Sequence, residues 1–266
     1  MKKFSIFLLL LLFAIAGLQV LFNHSAKEFI EEDLYDKIIQ RGVLKVGITS
    51  ESKPFAYKNK EGKLVGYDVD LARYVAQYIV KDPTRVELIP LESSERLIKA
   101  STGEVDIVIA TLTITPQRQE IVSFSIPYDT AGQAVMVKSN SWIKSLSDLA
   151  GQNVGVIFGT TAEKNMAHLV PTARLRGFKT YEDAKNALKM GSISAVTSDD
   201  TILSGLVADD SSIKLLPKRY SSEPYGIAFK KGNSTIKLKE NLDFAIKDMQ
   251  QKNVIPRLRK HWNVGI

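Results

Sequence analysis

The sequence predicts an α/β protein made of two lobes, each a mostly parallel sheet with helices on both faces. Three observations carry this. From Gly42 onward, short β-branched runs alternate with amphipathic stretches whose apolar residues recur at three- and four-residue spacing. The run Val105 to Ala110, VDIVIA, is apolar enough for a parallel strand buried on both faces. After Pro127 and Tyr128 the alternation starts afresh with no low-complexity linker, which suggests lobes joined by short strands able to act as hinges. A chain of 266 residues, 44% of them hydrophobic, has core enough for such a pair.

The first cycle opens with a strand at Val43 to Ile48. A helix follows from about Asp68 to Val80, with Val69, Ala72, Val75, Ala76 and Ile79 on one face. Val86 to Ile89 is a strand, Ser93 or Ser94 caps a helix to about Ala100, and VDIVIA follows. Thr115 and Pro116 supply a hydroxyl cap and an N1 proline for a short helix. The second cycle has strands at Gln133 to Val137, Val154 to Phe158, near Leu175 and at Ile193 to Thr197. Its helices start at Thr160, Glu182 and Asp199. A strand at Tyr225 to Phe229 and helices over Ser234 to Gln250 and Val254 to Trp262 complete the chain.

Composition excludes several classes of function. With no cysteine, a disulfide framework, a thiolate metal site and a cysteine nucleophile are all ruled out. The net charge of +7 is interspersed along the chain rather than clustered, so nucleic acid is not an expected partner. Lys2 and Lys3 precede an apolar run from Phe4 to Phe22, so residues 1–26 read as a signal peptide or a retained membrane anchor. Cleavage would follow Ala16 or a site near Ala26. Either outcome places the rest of the chain in the periplasm or on the extracytoplasmic face of the membrane, and no cysteine is present to carry a lipid.

Catalytic machinery is not visible. S-x-x-K occurs four times without the S-D-N or K-T-G partners, and G-x-S-x-G, Walker and G-x-G-x-x-G patterns are absent. His24, His168 and His261 are isolated from one another in sequence, so no metal is expected. No cofactor is implied.

A site for a small zwitterion asks for less: a fixed cation, a fixed anion, free backbone N–H groups and an apolar wall. In an open α/β sheet such groups belong just past the C-terminal ends of strands. Arg118 stands there after VDIVIA, in the first turn of a helix, where a guanidinium gains nothing from the macrodipole. It could grip a carboxylate in bidentate fashion, helped by the Thr111 and Thr113 hydroxyls. Phe158, Thr160 and Thr161 begin a helix after the strand VGVIF, where unpaired N–H groups can receive carboxylate oxygens, although capping alone would explain a threonine. Asp199 and Asp200 follow the strand ISAVT; one could hold an ammonium, or both could serve the helix start. Phe55 follows the first strand as a core aromatic or a wall over a ligand.

The stretch Val105 to Tyr128, VDIVIATLTITPQRQEIVSFSIPY, with KPFAY, LVGYDVDLA, GVIFGTTAE and YDKIIQRGVLKVGI, closely resembles the family 3 extracellular solute-binding proteins. These are the polar amino-acid receptors of ABC importers. The resemblance spans Leu34 to Trp262 and implies a type II periplasmic-binding fold, with two α/β lobes joined by two hinge strands that close over one ligand. Lobe 1 would comprise 27–132 and 224–266, and lobe 2 would comprise 133–223. Hinge strands would lie near Gln133 to Val137 and Ser221 to Tyr225.

Carried onto this sequence, the family's carboxylate-binding arginine is Arg118, with Thr113 and the Ala110 and Thr111 backbone beside it. Its second-lobe carboxylate contact is Thr161, its ammonium-binding aspartate Asp199 and its aromatic wall Phe55. Arg96 lies where glutamate and aspartate binders carry a side-chain clamp, though Glu95 replaces their asparagine and Thr49 stands where some have a second cation. A solvated helix arginine paired with Glu92 is the alternative for Arg96.

The resemblance thus implies a monomeric, non-enzymatic receptor that presents a polar amino-acid ligand to an ABC transporter permease. Glutamate or aspartate is the expected ligand, glutamine or another polar amino acid the alternative. An exported lyase of the cyclohexadienyl dehydratase kind would share the fold, and an anchored sensor is a third possibility.

Overall fold

The computed structural model describes residues 32–265, and the predicted signal or anchor segment at 1–26 lies outside them. Among the described residues no helix is long and apolar enough to cross a membrane. The first helix, α1 (Leu34–Arg41), is fixed at both ends. Asp33 accepts from the Tyr35 N–H, and Gly42 adopts the left-handed conformation that closes the last turn.

Strand β1 (Leu44–Thr49) leads into a small antiparallel sheet of β2 (Glu51–Ser52), β3 (Ala56–Lys58) and β4 (Leu64–Val65). Helix α2 (Tyr67–Ile79) buries the predicted face, Val69, Ala72, Val75, Ala76 and Ile79, together with Leu71. Then come β5 (Val86–Leu91), α3 (Arg96–Thr102), β6 (Ile107–Val108), α4 (Pro116–Ile121) and β7 (Val122–Phe124). Thr115 caps α4 from outside through the Arg118 N–H, with Pro116 at its start as the sequence predicts.

The chain then crosses through β8 (Asp129–Ala131) into β9 (Gln133–Lys138), β10 (Asn153–Ile157), α5 (Ala162–Leu169), β11 (Arg174–Phe178), α6 (Tyr181–Met190), β12 (Ala195–Asp199), α7 (Asp200–Val207) and β13 (Ile213–Leu215). It returns through β14 (Glu223–Tyr225) to β15 (Ala228–Lys230), α8 (Ile236–Gln251) and α9 (Val254–His261).

Two five-stranded sheets result, in the orders β5-β1-β6-β15-β7 and β11-β10-β12-β9-β13. They are topological copies. In each, the first three strands are parallel and the fourth runs against its neighbours. The reversed strand is in both cases the one that has just arrived from the other lobe, β15 in the first sheet and β9 in the second. The sequence expectation of mostly parallel sheets therefore holds with one reversed strand per sheet.

The two crossings pair with each other: β8 and β14 form a separate antiparallel ribbon with Glu223 opposite Ala131, Pro224 opposite Thr130 and Tyr225 opposite Asp129. This ribbon corrects the expected hinge at Gln133 to Val137. Those residues form β9 and are wedged between β12 and β13, since a run of uninterrupted apolar residues is better buried inside a sheet than left in a connector.

Candidate ligand-binding site between the lobes

Residues that follow strands in both sheets converge on one enclosed point. It is lined by Arg96, Thr111, Thr113 and Arg118 from the first lobe and by Thr160, Thr161, Tyr181 and Asp199 from the second. The enclosed volume is only about 10 Å³, roughly the room of one water molecule. An amino acid can enter this closed arrangement only if the walls separate.

Arg118 sits on α4 and is buried because the helix starts directly behind β6. Its Nη1 donates to the Thr113 carbonyl at 2.8 Å and its Nη2 to the Gly159 carbonyl at 3.0 Å. Burial first, then the neighbouring Arg96, bring its pKa down to about 10 against the opposing fields of Asp199 and Glu223.

Arg96 is also buried, only 3% exposed, which contradicts the solvated-helix alternative. Its Nε donates to the Ser93 carbonyl at 2.9 Å, its Nη1 to the Ala110 carbonyl at 2.7 Å and its Nη2 to the Gly159 carbonyl at 3.0 Å. One backbone oxygen thus receives both guanidinium groups across the cleft. Gly159 can come this close because it is a glycine. At φ 76° its missing Cβ would lie 2.6 Å from the Ser93 carbonyl oxygen.

Asp199 ends β12 and caps no N–H of α7, so the plain capping explanation fails for it. Its Oδ2 accepts the Tyr225 hydroxyl. Burial pushes its pKa up to about 7, with the Glu223 charge adding to the effect and the Tyr225 hydrogen bond, Arg96 and Arg118 opposing it. Asp200 instead accepts from the Gly132 N–H at 2.9 Å and ties α7 to the crossing.

The threonines divide. Thr160 turns its hydroxyl back to the Ile157 carbonyl at 2.8 Å. Thr161 makes no side-chain cap for α5; its hydroxyl donates to Glu223 Oε2 at 2.5 Å, and Thr113 donates to the same oxygen at 2.9 Å. Because each hydroxyl has a single proton, neither can donate to a ligand while it serves Glu223. Thr111 holds φ 47°, and its N–H donates to the Tyr128 hydroxyl at 3.2 Å; that hydroxyl in turn donates to buried Asp68 at 3.3 Å.

Three predicted residues, Phe55, Phe158 and Ala110, do not line the enclosed point. Phe55 is fully buried behind it, edge-on to Tyr67 at 5.6 Å and to Tyr225 at 5.9 Å between ring centroids. Phe158 is 46% exposed, its ring covering Gly177 on the edge strand β11, where a Cβ would meet it at 2.2 Å. Ala110 contributes its carbonyl to Arg96.

Sequence reading missed Tyr181, Tyr225 and Glu223. Tyr181 was findable, since it follows β11 as Arg118 follows β6. Glu223 carries no such signal, because it opens a strand instead of following one. Among the described residues no group of three or more acidic, histidine or cysteine side chains is placed to hold a metal ion.

Residues 44–265 match the family described as bacterial extracellular solute-binding proteins, family 3. The ABC transporter glutamine-binding protein GlnH of Bacillus subtilis (strain 168) is 32% identical over 268 residues, covering 98% of this chain and 97% of its own. A glutamine-binding protein of Geobacillus stearothermophilus is 38% identical over 194 residues, 72% of this chain and 74% of its own. Among solved structures, an ancestral amino acid-binding protein that is a precursor of cyclohexadienyl dehydratase superposes with a TM-score of 0.79 at 32% identity, covering 86% of this chain and 98% of its own. With the doubled sheet topology, the crossing ribbon and the match over most of its length, the chain belongs to the family 3 bacterial extracellular solute-binding proteins.

Proposed function

We propose that this chain is the extracytoplasmic receptor of an ABC importer and that it closes its lobes on a neutral polar amino acid, with L-glutamine the first candidate. One observation carries the reading: two buried guanidinium groups and one buried carboxylate, contributed by both lobes, meet at a single enclosed point. That is the complement of a zwitterion. Arg118 takes the α-carboxylate in place of the Gly159 carbonyl, and Asp199 takes the ammonium. Closure is driven by whatever the ligand contacts better in the closed form than in the open one. A permease receives the closed form, and the receptor acts as a monomer.

The choice of a neutral side chain departs from the glutamate or aspartate expectation. Arg96 gives its hydrogen bonds to backbone carbonyls on both sides of the cleft, which makes it a brace for the Ala110–Thr111 turn rather than a clamp for a second carboxylate. Beside the enclosed point, past Tyr181, an opening of about 290 Å³ is lined by Glu51, Glu92, Glu95 and Asp183 against the single cation Lys179. An anionic side chain directed there meets like charge. Thr49 lines the same opening, and its buried hydroxyl has no partner among the described residues, so it is free to donate to or accept from a side-chain amide that reaches it. The two relatives named for glutamine agree with this choice.

A thermal-shift panel of the twenty amino acids tests the reading. Glutamine at a hundred times its Kd should add about 2.7 kcal/mol of stability, and glutamate should add far less. A melt moved by glutamate or aspartate and untouched by glutamine would overturn the choice of ligand. Steady turnover of prephenate or arogenate would overturn the receptor in favour of the lyase.

A further inference from the structure

We propose that Glu223 is a positioning residue that clasps the lobes together once a ligand is held, and so sets how long the closed state lasts. The inference rests on the two-lobe receptor reading but concerns a residue outside the zwitterion's own contacts.

Glu223 opens β14, one of the two strands that cross between the lobes, and is only 3% exposed. Its carboxylate accepts from four side chains. Oε2 takes the hydroxyls of Thr113 at 2.9 Å and Thr161 at 2.5 Å; Oε1 takes the Asn165 amide at 2.6 Å and the Ser221 hydroxyl at 2.9 Å. Thr113 follows β6 in the first lobe, Thr161 and Asn165 lie at the start of α5 in the second, and Ser221 belongs to the return crossing. A single carboxylate therefore joins both lobes and the hinge.

A buried carboxylate needs such donors, because an ion removed from water without them is costly. When the lobes part, Thr161 and Asn165 move off with the second lobe, and water must replace them. The clasp is therefore complete only on closure. It also fixes the direction of the two threonine hydroxyls and keeps them from the ligand, leaving Arg118 and the backbone as the carboxylate's donors.

The absence of cysteine allows site-specific labelling. Nitroxides at Lys58→Cys and Glu182→Cys, exposed positions facing each other across the mouth, report the distance between the lobes. L-Glutamine association and dissociation are followed by stopped flow in the parent and in Glu223→Gln. The expected result is a dissociation rate raised more than tenfold, an association rate changed less than about twofold, and a closed-to-open ratio at saturating glutamine lowered by a factor like that of dissociation. Thr161→Val should raise dissociation no further in the Glu223→Gln background, whereas alone it should raise dissociation severalfold. Unchanged dissociation and an unchanged distance distribution would overturn the proposal, as would additive effects of the two substitutions.

The ligand-free distance distribution gives an independent reading of the same pair. Its closed minority should be lowered in Glu223→Gln and in Thr161→Val and no further in the double variant, even if no amino acid closes the parent, an outcome that would sink the receptor reading alone. Additive effects on that minority together with additive kinetics would remove the clasp.

Discussion

Replacing Gly205 with alanine should weaken ligand binding without weakening the ligand-free fold. Gly205 lies inside α7, where glycine costs up to about 1 kcal/mol relative to alanine, so the helix by itself favours the substitution. The reason for a glycine lies in the other lobe. A Cβ there would stand 2.4 Å from the Lys53 carbonyl oxygen and 2.8 Å from Pro54 Cδ. Ordinary contact begins near 3.4 Å, so the added methyl demands about 1 Å of separation at this point of the seam. Backbone, not a flexible side-chain tip, must yield. Overpacking of this sort costs roughly 1–3 kcal/mol, and only the closed form bears it. The Kd for L-glutamine should therefore rise about 5- to 150-fold. Isothermal titration gives the Kd, and a melt without ligand gives the stability, which should stay within a few degrees of the parent's. A Kd within twofold of the parent's would refute the seam contact. A weakened Kd matched by an equal loss of ligand-free stability would refute its restriction to the closed state.

Arg118→Met removes the carboxylate grip. At about 1.5–3 kcal/mol for each of two charge-assisted bonds, glutamine binding should fall by a factor of roughly 100 or more in titration. The ligand-free melt should not fall with it, because burial already disfavours this cation. Thr49→Val should lower glutamine affinity by about 0.5–1.5 kcal/mol, the worth of one neutral hydrogen bond, while leaving alanine affinity unchanged in the same titration.

The pH dependence follows from Asp199 and Asp68, both pushed up to about 7, by burial before all else. For a carboxyl raised above its unfolded value, the stabilising contribution is complete below about pH 3.8 and lost as pH rises through about 7. The stability of the parent minus that of Asp199→Asn, measured ligand-free between pH 5 and 8, should therefore shrink toward alkaline pH. Binding has the opposite sense. An ammonium partner favours ionised Asp199, so glutamine binding at pH 6 should release a proton and the Kd should rise about tenfold per pH unit further down. Titrations in two buffers of different ionisation enthalpy measure that release.

Much of this was legible in the sequence because α/β topology ties chemistry to strand ends. Arg118, Thr161 and Asp199 could each be placed from a single rule, that ligands sit past the carboxyl ends of strands. The failure of Thr161 and Asp199 to cap their helices explains why those residue types stand there. Arg96 was harder. Its helix position is compatible with solvent, and only the folding of the Ala110–Thr111 turn over it turns the guanidinium inward.

Phe158 went the other way because strand periodicity fixes which face a residue takes only while the strand lasts. β10 ends at Ile157, and the next side chain is free to cover Gly177. Glu223 could not be found at all, since its four donors come from 113, 161, 165 and 221 and no local pattern links them. Of the two expected hinge strands, the one near Ser221 to Tyr225 coincides with β14, whereas the one at Gln133 to Val137 was misplaced for a similar reason. The pairing of β8 with β14 is a contact between distant segments, too short to leave a periodic trace.

A crystal structure of the protein grown with L-glutamine tests the central claim most directly. The ligand's α-carboxylate should lie on Arg118 with the Gly159 carbonyl displaced from that guanidinium, its ammonium on Asp199, and its side-chain amide toward Thr49. Glutamine bound elsewhere, or an Arg118 still held by Gly159 in a saturated crystal, would contradict the account.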